Sequence, residues 1–163
     1  MKITKKVLNA INVQVKNEFD NAFLYLSIAS WCEDHGFSGF AKWNMAQFRE
    51  EQEHAMKFYK YVFERQGKVE VKEVEKPKRD WKNLVDVYKD ILKREEQTTE
   101  NIHYLYKVAE GEKDYATMSL LQWYIDEQVE EESNASGILQ KLQMAGDSSS
   151  ALMFIDGEVG KRE

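Results

Sequence analysis

The run Glu50, Glu51, Gln52, Glu53 and His54 sets a carboxylate and an imidazole, Glu51 and His54, three residues apart. On a helix that spacing puts both on one face, where they can grip one metal ion. Many solvated helices contain such a pair by chance, so its weight comes from the rest of the chain. Glu18 precedes Glu51 by 33 residues, Glu95 precedes Gln128 by 33, and Glu131 follows Gln128 by three. One pattern therefore occurs twice, as Glu18, Glu51, His54 and as Glu95, Gln128, Glu131. Two equal helical hairpins would bring all six side chains to one depth in a bundle.

The surrounding sequence has the periodicity of long helices. From about Thr4 to Asp34, apolar residues recur at spacings of three and four: Val7, Leu8, Ile11, Val15, Phe19, Ala22, Phe23, Leu26, Ala29 and Trp31. Gly36 breaks the run and Ser38 is expected to cap a second helix carrying Phe40, Trp43, Phe48, Ala55, Phe58, Tyr59 and Val62, ending near Gly67. Lys68 to Asp80 has isolated valines among charges and the one proline, Pro77, and reads as an extended crossover. It exceeds the usual helix-to-helix turn, so the helices on either side need not be antiparallel neighbours. Asp80 is expected to cap a third helix running to about Gly111. A turn at Glu112 to Asp114 leads to a fourth helix ending near Gly146, and Ser148 is placed to cap a short fifth one holding Leu152, Phe154, Ile155 and Val159. Helices of this length span roughly 40 Å, a matched set for a bundle. The expectation is one all-α domain over 1–163, with a four-helix bundle at about 4–146 and a fifth helix at about 148–160.

Composition narrows the function. Asp plus Glu number 29 against 23 Lys plus Arg, a formal net charge of −6, which disfavours nucleic acid as a partner and favours cations. One cysteine, Cys32, allows no intramolecular disulfide and suits a reducing compartment. Met1 to Asn12 lacks the apolar core of a signal peptide and no apolar run reaches membrane-spanning length, so a cytoplasmic protein with no membrane partner is expected.

The six residues resemble in outline the di-iron carboxylate arrangement of ferritin-like four-helix bundles, which implies a pair of ions, and charge arithmetic checks that resemblance. Glu18, Glu51, Glu95 and Glu131 carry four negative charges when ionised, and two ferrous ions neutralise them. Two carboxylates about 4 Å apart repel by roughly 4 kcal/mol at an effective dielectric near 20, so the metal-free site should keep protons and release them to metal. An oxygen-rich set with one imidazole suits an exchanging iron pair better than structural zinc. The two ions would be unequal, one held by Glu18, Glu51 and His54, the other by bridging Glu51 with Glu95 and Glu131 and with Gln128 close by. The second should bind less tightly. Glu96 adjoins Glu95 and a shifted helix boundary would exchange them. The 33-residue interval favours Glu95. Glu50, Glu127 and Glu130 each lie one residue from the inner set, about 100° around their helices, and together can hold a third, outer metal.

Three segments carry a family resemblance: Glu50 to His54, the run from Leu121 to Glu132 (Leu121, Gln122, Trp123, Tyr124, Ile125, Asp126, Glu127, Gln128, Val129, Glu130, Glu131, Glu132), and Phe154, Ile155, Asp156. They resemble the non-haem bacterial and archaeal ferritins, members of the ferritin-like di-iron carboxylate family. The resemblance implies a ferritin-like four-helix bundle with one long crossover between its second and third helices. It also implies a homo-oligomer of 24 subunits that oxidises ferrous iron with dioxygen or hydrogen peroxide and stores ferric mineral. By that resemblance Glu18, Glu51 and His54 form the first iron site, Glu51, Glu95, Gln128 and Glu131 the second, and Glu50, Glu127 and Glu130 the third. Tyr25 resembles the tyrosine that can supply an electron. Gln52 stands where haem-binding relatives place methionine, which argues against haem. Other readings are a non-enzymatic metal buffer or interaction module, and a peroxide-consuming di-iron enzyme. Acidic residues near Glu110, Glu112 and Asp114 are expected along a route for iron.

Overall fold

Local sequence signals place the helix ends. In the computed structural model, which describes residues 1–161, Thr4 caps α1 (Lys5–Asp34) by accepting a hydrogen bond from the Val7 backbone N–H. Four further helices follow: α2 (Ser38–Glu64), α3 (Leu84–Gly111), α4 (Tyr115–Ala145) and α5 (Ser149–Val159). Asn83, Asp114 and Ser148 cap α3, α4 and α5 with their side chains. The expected cap at Ser148 is therefore observed. α3 starts at Leu84 under Asn83 and not under Asp80, because the crossover stays non-helical up to that point.

α1, α2 and α3 end alike. At each, one residue turns left-handed, Gly36 (φ 77°), Gln66 (φ 55°) or Lys113 (φ 54°), and the next N–H returns to the carbonyl of Cys32, Val62 or Ala109. The left-handed residue after α2 is thus Gln66, and the helix ends near Gly67 as expected. The start of α2 differs from expectation. Ser38 is its first helical residue, and the preceding Phe37 offers no side-chain cap. The carboxylate of Asp156 in α5 supplies one, accepting from the N–H groups of Gly39 (3.1 Å) and Phe40 (2.9 Å). A negative group at a helix N-terminus is favoured by both the open donors and the helix dipole.

The helices form two hairpins, α1 with α2 and α3 with α4, and α1 also packs on α3. Asn21 meets Thr98 and Tyr25 meets Glu95, so α1 and α3 are antiparallel. Gln47 meets Glu131 and Tyr124 meets the His54 carbonyl, so α2 and α4 are antiparallel too. α2 and α3 consequently run parallel, which requires the crossover to travel the length of the bundle. α1 guides it. Asn12 bonds Lys68 and Glu70, Asp20 accepts from the Glu75 N–H, Lys16 pairs with Glu75, and Ser27 donates to the Lys78 carbonyl. Buried Asn12 and Asp20 thereby give an extended backbone the partners a sheet would otherwise provide.

The apolar core is divided. One cluster holds Leu24, Ile28, Trp31, Phe40, Trp43, Tyr88, Ile91, Ala135 and Leu142, and the other holds Val7, Ile11, Val15, Phe58, Ile102, Leu105, Leu121 and Tyr124. On every bundle helix a polar stretch lies between the two. Phe23, expected in the apolar stripe of α1, is instead 40% exposed, with its ring edge-on to Phe48.

The Asp156 cap makes α5 and α2 interdependent. Asp156→Ala should cost about 1 to 2 kcal/mol of stability and speed amide exchange at Gly39 and Phe40. Gly39→Ala should dislodge α5, since an added Cβ would lie 1.8 Å from the Asp156 carbonyl oxygen. Thermal unfolding and hydrogen exchange check both.

Candidate metal centre

Glu18, Glu51, His54, Glu95, Gln128 and Glu131 are all buried, and His54 is the most exposed of them at 6%. They come from all four bundle helices and fill the polar layer between the apolar clusters. Glu18, Glu51 and His54 each place a ligand atom within 4.8 Å of the others, with His54 Nδ1 3.8 Å from Glu51 Oε2. Across the layer stand Glu95, Gln128 and Glu131. Tyr25 donates its hydroxyl hydrogen to Glu95 Oε1 at 2.5 Å.

Each carboxylate is supported by a neutral donor. Gln14 donates to Glu18 Oε1 (2.8 Å), Asn21 to Glu51 Oε2 (3.4 Å), Gln128 to Glu95 Oε2 (3.2 Å) and Gln47 to Glu131 Oε2 (2.8 Å). Among the described residues none of the four is paired with a lysine or arginine. Neutral amides orient a carboxylate without neutralising it, so the charge is left for an outside cation. The donor set itself fits iron: four carboxylates, one amide, one imidazole and no thiolate. Cys32 lies away in the apolar core, its thiol pushed up to about 12 by burial.

Electrostatics follow from this arrangement. Burial, then the charge of Glu51, raises Glu18 well above the ordinary carboxyl range. Burial and then Glu95 do the same for Glu51. Burial also raises Glu95, against the pull of its bonds from Tyr25 and Gln128. Glu131 is raised to about 7 by burial and by Glu95. Burial and Glu95 raise the Tyr25 phenol, which keeps its proton and remains a donor.

Aromatic residues fix His54. Trp123 meets its ring edge-on (5.4 Å between centroids), and Tyr124, stacked on Phe58, donates to the His54 backbone carbonyl at 2.8 Å. On the outer side of Trp123 the Lys57 ammonium sits 3.2 Å from the ring centroid.

The outer acidic residues are arranged more loosely. Glu50 is half-buried and acts electrostatically on Glu131, Glu127 is half-buried and faces Lys57, and Glu130 is exposed. Among the described residues these three do not close into a cluster as tight as that of Glu18, Glu51 and His54. Glu96 is exposed, which leaves Glu95 as the inward residue. His35 and His103 are exposed. Asp114, expected beside an iron route, is buried, takes two hydrogen bonds from the Arg65 guanidinium and caps α4, so it is not free to conduct cations. Gln14, Asn21, Gln47, Thr98 and Tyr124 were missed from sequence. The available signal was an amide or hydroxyl falling on an apolar helical stripe.

The ferritin family profile, a ferritin-like domain, matches residues 8–145. A bacterial non-heme ferritin from Staphylococcus aureus is 36% identical over 160 residues, 98% of this chain and 96% of that one. One from Staphylococcus haemolyticus is 35% identical over the same shares. Among solved structures, an open-pore ferritin from the hyperthermophilic archaeon Archaeoglobus fulgidus superposes with a TM-score of 0.98 at 40% identity, covering 99% of this chain and 98% of that one.

The raised carboxyls set a pH dependence. Between the ordinary value of 4.5 and about 7, folded Glu131 holds a proton that the unfolded chain has lost, so this group favours the metal-free fold at low pH. That contribution should disappear as pH rises through about 7. Thermal scans should therefore show metal-free protein weakening across this window and zinc-loaded protein holding. Zinc added at pH 6 should release protons into weak buffer, and fewer at pH 8.

Proposed function

The chain belongs to the ferritin family of iron-storage proteins, and from that premise we propose that it oxidises ferrous iron within the buried carboxylate layer and keeps the ferric product inside a shell of identical subunits. The observation that carries this reading is the meeting of Glu18, Glu51 and His54 within 4.8 Å, opposite Glu95, Gln128 and Glu131, with no lysine or arginine among the described residues paired to their carboxylates. Glu18, Glu51 and His54 take the first ferrous ion. Glu95, Gln128 and Glu131 take the second, and Glu51 bridges.

Two ferrous ions bring four positive charges to four carboxylates, and the protons held by the raised carboxyls leave as the ions arrive. Each ion gives up one electron, so a pair reduces one dioxygen with two protons to hydrogen peroxide, or one hydrogen peroxide with two protons to two waters. The apolar clusters above and below exclude bulk water, which strengthens every charge interaction in the layer. Oxidation raises the charge of the pair from four to six, so the ferric ions take hydroxide from water, with loss of protons, as they pass to the mineral. Glu50, Glu127 and Glu130, at the wetter edge of α2 and α4, serve as an outer third site on that path. Tyr25, bonded to Glu95, is placed to supply a further electron. No haem is needed for this chemistry, and the expected assembly is the 24-subunit shell, in the cytoplasm. Among the described residues no helix is long and apolar enough to cross a membrane.

Stopped-flow mixing of ferrous iron with aerated protein tests the assignment. Glu51→Ala and His54→Ala should each slow oxidation by at least roughly 100-fold, equivalent to about 2.7 kcal/mol of barrier, with the shell intact by gel filtration. Unchanged kinetics would overturn the site. Elution of the parent protein near 19.2 kDa would overturn the shell.

A further inference from the structure

The side-chain amide of Gln128 has two ends of nearly equal shape and opposite chemistry, and Oε1 alone can ligate a cation. Its Nε2 faces three acceptors on α3: the Glu95 carbonyl at 3.1 Å, Glu95 Oε2 at 3.2 Å and Thr99 Oγ1 at 3.3 Å. Thr99 has a single hydroxyl hydrogen, and it goes to Oε1 of Glu132. A carboxylate only accepts. Thr99 can therefore offer Gln128 nothing but a lone pair, and only the Nε2 end of the amide can use it.

We propose that Glu132, acting through Thr99, is a positioning residue that fixes the amide of Gln128 with Nε2 against α3 and Oε1 available to the second cation. This rests on the two-ion reading given above. The arrangement is built into the fold: Glu132 and Thr99 are half-buried, and their bond ties α4 to α3 beside buried Gln128. Gln128 Oε1 makes no hydrogen bond among the described residues, so the end that can bind metal is the one left uncommitted. The mechanism also explains why an acid at position 132 differs from its isosteric amide. A glutamine there can donate to Thr99, which frees the Thr99 hydrogen to point at Gln128 Oε1 and favours the turned-over amide, which only the Glu95 carbonyl and Oε2 then oppose. In the turned form the cation faces an NH2 group, which repels it.

Anaerobic titration of the assembled protein with Co(II), followed by visible absorption and binding heat, reads the two sites separately. The parent protein should take up two tight equivalents per subunit in the inner layer, ahead of weaker uptake by Glu50, Glu127 and Glu130 at the edge. Glu132→Gln and Thr99→Val should leave the first equivalent unchanged and weaken the second about tenfold, while Thr99→Ser, which keeps the hydroxyl, should retain both. Parent-like uptake of the second equivalent by both Glu132→Gln and Thr99→Val would overturn the proposal. Equal weakening of both equivalents would also overturn it, since that is what general loosening of the bundle produces. A single equivalent in the parent protein would overturn the two-ion reading itself, and that result appears before any variant is compared.

Discussion

Four carboxylates share one buried layer of this bundle, and among the described residues no lysine or arginine is paired with them. Ionised and uncompensated, such groups are costly in a low-dielectric interior. The chain tolerates them in two ways. Protons stay on the carboxyls until a cation displaces them, and a neutral amide holds each carboxylate in place meanwhile. Cohesion comes from the apolar clusters on either side, so the layer itself need contribute little to folding and can be shaped for binding. Affinity for metal and strain in its absence are two aspects of the same burial.

The parallel course of α2 and α3 is the topological condition for this layer. A short α2–α3 turn would make those helices antiparallel and give a different order of neighbours. The long crossover lets α1 face α3 while α2 faces α4, and α1 holds the crossover through Asn12, Lys16, Asp20 and Ser27. α1 thus has two jobs on two faces. Glu18, Asn21 and Tyr25 look into the site, and the polar residues at 12, 16, 20 and 27 support the strap. This division explains why α1 combines long apolar runs with so many buried polar residues.

The two halves of the repeat are alike in spacing and unlike in chemistry. His54, where the first half has an imidazole, is fixed by rings and by a backbone contact from Tyr124. Gln128 and Glu131 are fixed by hydrogen bonds from and to other side chains, through Gln47, Thr99 and Glu95. A packed ring is held by shape, and an amide by the direction of its donors. The second half therefore depends on polar neighbours well outside the layer.

Residue spacing pointed to the all-α bundle, the long crossover, the fifth helix capped at Ser148, and the six residues that the structure buries in one layer. Helical periodicity is a local property, and the paired interval of 33 residues survives any detail of packing. Sequence did not reveal that Asp156 caps α2, that Asn12 and Asp20 hold the crossover, or that Gln14, Asn21 and Gln47 support the carboxylates. Nor did it reveal that Asp114 is engaged by Arg65. Most of these contacts join residues far apart in the chain, and which buried amide meets which carboxylate depends on the rotation of each helix about its axis. That rotation is settled only when the apolar clusters pack, because one register lets all four helices bury their stripes and still aim their acids at one another.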